Sequence, residues 1–123
     1  RGENDVYLGE LKVGMGATDG KSGIGDHIKK TNEIMKSPKA CAVLRADVER
    51  IIRQKVALGL LEGDYAGLNL SATPRMMLIL ACRGSEERQA LKKQGEKARD
   101  EAKAKGIAAP LIVWPNAQNI LDV

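Results

Sequence analysis

The stretch Met76-Met77-Leu78-Ile79-Leu80-Ala81-Cys82 decides the fold. Side chains alternate between the two faces of a strand, so a short run that is apolar at every position reads as a central strand covered by helices on each side. Downstream, Ser85 is placed to cap a long charged helix. Glu86 and Glu87 stand in its first turn, Lys103 and Lys105 in its last, and Gly106 stops it. Its apolar stripe, Leu91, Ala98 and Ala102, is thin, which puts the helix on a surface. Pro110-Leu111-Ile112-Val113-Trp114 then gives a last strand before the turn at Pro115-Asn116.

Upstream, Val48, Ile51, Ile52, Val56 and Leu60 recur at helical spacing while Glu49, Arg50, Arg53 and Lys55 face outward, and Gly63 ends that helix. Apolar Ala40 to Leu44 reads as a short strand. Asp26 is placed to cap an earlier helix running to about Lys36, with Ile28, Thr31 and Met35 on one face and Ser37-Pro38 as its stop. Before it, Gly14, Gly16, Gly20, Gly23 and Gly25 mark a flexible loop. The chain opens on a strand from Val6 to Val13. Strands joined through helices require crossover connections, which are right-handed and make their strands parallel. The class is α/β: a central mixed sheet flanked by helices, with the first strand in the same sheet.

At 123 residues the chain fits one domain, since domains commonly hold roughly 100 to 200 residues. Apolar residues make up 43% of it and are spread along its length, a globular rather than a disordered composition. With no Phe, one Trp and two Tyr the core must be aliphatic, and the aromatic platforms on which unpaired bases stack are missing. A net charge of +4 suits a phosphate-rich partner but falls short of a protein that coats DNA. Cys41 and Cys82 sit in apolar surroundings, as reduced buried thiols do, which points to a reducing cytoplasm. No apolar run reaches the ~18 residues of a membrane span. The first residue is Arg1 and a strand follows almost at once, so the sequence is expected to be a fragment of a nuclease-like domain that lacks upstream elements.

The chemistry centres on Glu10-Leu11-Lys12. On an extended strand Glu10 and Lys12 point to the same side, about 7 Å apart at a rise of roughly 3.4 Å per residue. Both reach one phosphate. A carboxylate there holds Mg²⁺ through oxygen, and the ammonium beside it orients or deprotonates an attacking water and offsets charge on the phosphoryl group. An ordinary salt-bridged pair on a strand has the same spacing. Other features point elsewhere or nowhere. Gly14 to Ser22 lacks the spacing of a phosphate-binding loop, which needs four residues between its glycines before Lys-Ser. A looser role remains for Lys21 and Ser22, as contacts to nucleic-acid backbone from the loop. Lys29 and Lys30 form a further phosphate-contact pair. His27, the only histidine, is near the charged end of the strand but reads as a surface residue. The long helix mixes Arg88, Lys92, Lys93 and Lys97 with Glu86, Glu87 and Glu96, a solvated face.

In Leu8-Gly9-Glu10-Leu11-Lys12-Val13, followed by a loop, a helix and a central strand, the chain resembles the PD-(D/E)xK nuclease superfamily. The resemblance covers this half of the motif and the order of elements. It implies a restriction-endonuclease-like sheet flanked by helices, Glu10 as a ligand of Mg²⁺, Lys12 as the catalytic lysine, and DNA as substrate, with a homodimer natural for cutting both strands. One part of the pattern is missing. The superfamily places an acidic residue on the preceding strand, and here only Glu3 and Asp5 precede Glu10, both of the wrong parity. The second carboxylate must come from before Arg1, from another chain, or from a residue such as Asp19 or Asp26. Without it the expectation is a noncatalytic nucleic-acid-binding or assembly domain with a degenerate site.

Overall fold

The computed structural model describes residues 3–15, 23–82 and 84–115. Three strands and three helices alternate in the order β1 (Tyr7–Val13), α1 (Ile24–Met35), α2 (Pro38–Ala57), β2 (Arg75–Ala81), α3 (Ser85–Ala104) and β3 (Leu111–Val113). The class is α/β, as the apolar run at Met76 requires. That run is the middle strand of the order β1-β2-β3. Tyr7 pairs with Arg75 and Val13 with Ala81, while Met77 pairs with Leu111 and Ile79 with Val113, all in parallel. Among the described residues every strand pairing is therefore parallel, and the mixed sheet expected from the sequence is not seen in them. Pairing begins ahead of the strands proper: Asn4 donates its N–H to Asn69 O at 2.7 Å and accepts that of Ser71 at 3.0 Å.

The core lies on one side of this sheet. Met76, Leu78 and Leu80 of β2 point into a cluster with Ile24 and Ile28 of α1 and Leu91 and Ala102 of α3. Leu91 and Ala102 belong to the thin stripe read from the sequence, and its thinness has a function. Gly95 lies on the same helix where it crosses Leu80, and a Cβ there would stand 2.6 Å from Leu80 Cδ1. A mid-helix glycine costs about 1 kcal/mol against alanine, and here it lets helix and sheet approach closely.

The other side of the sheet departs from the expectation of helices on each face. Two crossovers of one hand, running in the same direction across a sheet, leave their helices on a single face. Leu11 and Val13 on the opposite face are accordingly 55% and 57% exposed, and Leu111 is exposed as well. Full apolarity of β2 thus reports a central strand without a second helical layer among the described residues.

Ala40 to Leu44, read as a strand, lies inside α2. Ser37 occupies the N-cap position, where its Oγ accepts the N–H of Ala40 at 3.2 Å, and Pro38 supplies the first helical residue. The pair read as the stop of α1 is thus also the start of α2, because a proline that ends one helix is suited to open the next. The helix stops at Ala57, before Gly59 with φ +68°, rather than at Gly63. Its stripe does not reach the core either. Only Cys41 on α2 is buried, while Ile51 and the following Leu60 are exposed. Periodicity made the helix, but nothing among the described residues covers most of its apolar side. Two caps also shift by one or more residues. Gly23 holds the N-cap position of α1, with Asp26 in its first turn, and Gly84 holds that of α3, with Ser85 the first helical residue.

Candidate functional site

β1 delivers Glu10 and Lys12 to the helix-covered side. Their register partners are Leu78 and Leu80, so both point toward the core cluster beneath α1 and α3. A lysine ammonium is tolerated at such depth only when a charge answers it. The Lys12 side chain is 7% exposed, and its Nζ lies 3.1 Å from Glu10 Oε1. Glu10 stands further out, 32% exposed, at the boundary of core and solvent. The strand thus passes from apolar Leu8 to a charged pair whose inner member is almost sealed.

A third side chain joins them. α1 begins at Ile24, and its first turn brings His27 Nδ1 to 3.4 Å from the other carboxylate oxygen, Glu10 Oε2. His27 is held there by the helix itself, its N–H donating to Gly23 O at 3.1 Å. From its position in the sequence His27 is expected near the charged end of the strand, as a surface residue. It is half-exposed, as expected, and still part of the cluster. With Gly23 rather than Asp26 at the cap, the helix begins early enough to turn His27 toward β1.

From the sequence Glu87 is expected only as a favourable charge at a helix N-terminus. In the structure its Oε1 accepts the N–H of Met15 at 3.3 Å, just past the end of β1. Gly14, with φ +72°, makes the turn out of the strand while its N–H holds Ala81 O at 2.9 Å; a Cβ on it would meet Glu87 Oε1 at 2.9 Å. Glu87 therefore clamps the carboxyl end of β1. Strand ends and the N-termini of the helices that follow them meet at this edge, the usual place for ligands on parallel sheets. Amide N–H groups there favour anions such as phosphates.

The remaining sequence candidates are dispersed. Lys21, Ser22 and Asp19 lie outside the described residues. Lys30 is engaged by Asp26, Nζ to Oδ2 at 2.7 Å. That ammonium, at hydrogen-bonding distance, is the main cause holding the Asp26 carboxyl below the usual carboxylate range, with His27 and Lys29 adding to it against the effect of desolvation. Lys29 instead lines a cavity of about 250 Å³ between α1 and α3, together with Ile28, Glu101, Lys105 and Ile107. Lys29 and Lys30 thus have different surroundings. Asp5, which precedes β1, pairs with Arg75 at 2.9 Å, and Arg75 also lies over the Tyr7 ring at 5.5 Å.

As a donor set, the cluster offers one carboxylate, one imidazole and a neighbouring ammonium. Mg²⁺ takes one or two carboxylates and fills its other positions with water and substrate phosphate, so Glu10 meets the smaller of these demands. Among the described residues no helix is long and apolar enough to cross a membrane. No family model, no curated protein and no solved structure matches the chain.

Proposed function

We propose that this chain carries a metal-dependent phosphodiesterase site of the PD-(D/E)xK type acting on DNA, with Glu10 as the ligand of Mg²⁺ and Lys12 as the catalytic lysine. One observation carries the reading: a nearly sealed lysine ammonium 3.1 Å from a half-exposed carboxylate, at the strand end where two helices begin. When bound, Mg²⁺ lowers the pKa of a coordinated water and neutralises phosphoryl charge. The residues supply the rest. Glu10 fixes the position of the Lys12 ammonium through one oxygen. With a phosphate bound at Glu10, the Lys12 ammonium would offset the charge growing on the phosphoryl oxygens, an attraction that is stronger in a poorly hydrated setting than in water. Lys21, Ser22, Lys29 and Lys30 are proposed contacts to the DNA backbone. A reducing cytoplasm agrees with two free thiols, Cys41 and Cys82, and a homodimer would serve cleavage of both strands.

The test is cleavage of supercoiled plasmid and of end-labelled duplex DNA in MgCl₂, comparing the protein with Lys12→Met. The substitution keeps the volume of the buried stem, so folding is preserved while cleavage falls by about 100-fold or more. Equal cleavage by both proteins would remove Lys12 from the reaction. A second reading, a noncatalytic assembly domain, is favoured by the exposed apolar face of Leu11, Val13 and Leu111. It predicts no Mg²⁺-dependent cleavage by either protein.

A further inference from the structure

The separation between His27 and Glu10 is informative about more than an ion pair. Charge-assisted N–H···O bonds run at about 2.7–2.9 Å, and His27 Nδ1 lies 3.4 Å from Glu10 Oε2. Two donors bound to one metal at about 2.1 Å lie about 3.0 Å apart along an octahedral edge and about 3.4 Å apart along a tetrahedral one. The pair is spaced like two neighbouring ligands of one ion. Both side chains are 32% exposed, so water and ions reach each of them.

Lys12 completes the arrangement from behind. By holding Oε1 it orients the carboxylate and leaves Oε2 facing the imidazole, the part that outer partners play around metal ligands. Imidazole nitrogen also changes which metal is preferred. Mg²⁺ is an oxygen-seeking ion, whereas first-row divalent metals accept mixed nitrogen and oxygen donors.

We infer that Glu10 and His27 together form a divalent-metal site with mixed oxygen and nitrogen donors, one that takes Mn²⁺ or Zn²⁺ in preference to Mg²⁺. This deepens the functional reading above and rests on its placement of a metal at Glu10. The site needs no nucleic acid to be detected, because two protein ligands and water suffice for a first complex.

The experiment is titration of the 123-residue chain with MnCl₂ and MgCl₂ by calorimetry at about pH 8, joined to pulsed electron paramagnetic resonance of the Mn²⁺ form. His27 is the only histidine, so ¹⁴N modulation from a bound imidazole reports on it alone. The expected result is ¹⁴N modulation in the parent that vanishes in His27→Ala. Mn²⁺ affinity should fall by about 10-fold or more in that variant, with circular dichroism unchanged and Mg²⁺ affinity within a factor of about two. Mn²⁺ binding that is lost in Glu10→Gln but carries no ¹⁴N modulation would overturn the shared site while leaving Glu10 as a ligand. Modulation that persists in His27→Ala would overturn it as well. Failure of both metals to bind the parent would remove the shared site and the metal role of Glu10 together.

Discussion

Replacing Lys12 should leave the protein as stable as before or more so, whereas neutralising its partner Glu10 should weaken it. The argument is one of asymmetric exposure. In Lys12→Met the residue left behind is Glu10, already 32% exposed and able to take up water, while a thioether fills the space of the lysine stem. Replacing a buried charge with an apolar group of similar volume is commonly neutral or stabilising, and we expect a change between about 0 and 2 kcal/mol in favour of the folded state. In Glu10→Gln the residue left behind is the lysine ammonium, 7% exposed. Coulomb's law at the 3.1 Å separation gives about 1 kcal/mol at the dielectric of water and about 5 kcal/mol at an effective value of 20. An amide oxygen retains part of that as a hydrogen bond, so the loss is about 1–3 kcal/mol. With a urea dependence of about 2 kcal/mol per molar, the Glu10→Gln midpoint falls by about 1 M. The assay is urea unfolding followed by the fluorescence of Trp114, the single tryptophan, which packs against the core cluster. A Lys12→Met midpoint as low as that of Glu10→Gln would show that the lysine contributes net stability, and the reasoning would fail.

Three further outcomes follow from the geometry. Gly95→Ala gains about 1 kcal/mol of helix propensity but places a Cβ 2.6 Å from Leu80 Cδ1, and because overpacking costs about 1–3 kcal/mol the variant should be no more stable than the parent; a raised urea midpoint would contradict the close approach of α3 to β2. Ser37→Ala removes the oxygen that accepts the Ala40 N–H and should cost about 1 kcal/mol, read by the same unfolding curve, with no loss indicating that α2 is held by other means. Asp26 has a folded-state pKa below its ordinary 3.8, so its pairing with Lys30 stabilises fully at pH values above the unfolded pKa and is lost as pH falls through the lowered folded one. Unfolding midpoints of the parent and Asp26→Asn should therefore converge on acidification below about pH 4, and a gap that stays constant there would argue against the pairing.

Much of the fold was legible because it follows from periodicity. The unbroken apolar run at Met76 and the helical spacing around Ile28 and Leu91 locate β2, α1 and α3 without tertiary information. Ala40 to Leu44 failed for a definite reason: a short apolar run satisfies strand and helix alike, and Ser37-Pro38 carries both a stop and a start. The uncovered sheet face was illegible because apolar strand residues record a preference for burial, not the presence of a covering layer. Of the candidate site, Glu10 and Lys12 share a face by alternation alone. The place of His27 after the glycine loop already sets it near the charged end of β1, but its contact with Glu10, like that of Glu87 with Met15, depends on long-range packing that spacing does not record.

The parallel pairing of β1 with β2 also sets an order of events. The Asp5–Arg75 contact joins residues 70 positions apart, so the pairing of β1 with β2 waits until both following helices and the chain beyond them have left the ribosome. Contacts this distant in sequence slow folding, because loop closure precedes any gain from pairing. During synthesis the segment holding Glu10 and Lys12 therefore waits for β2, and the Glu10–Lys12–His27 cluster takes shape late, once β2 supplies the floor beneath it.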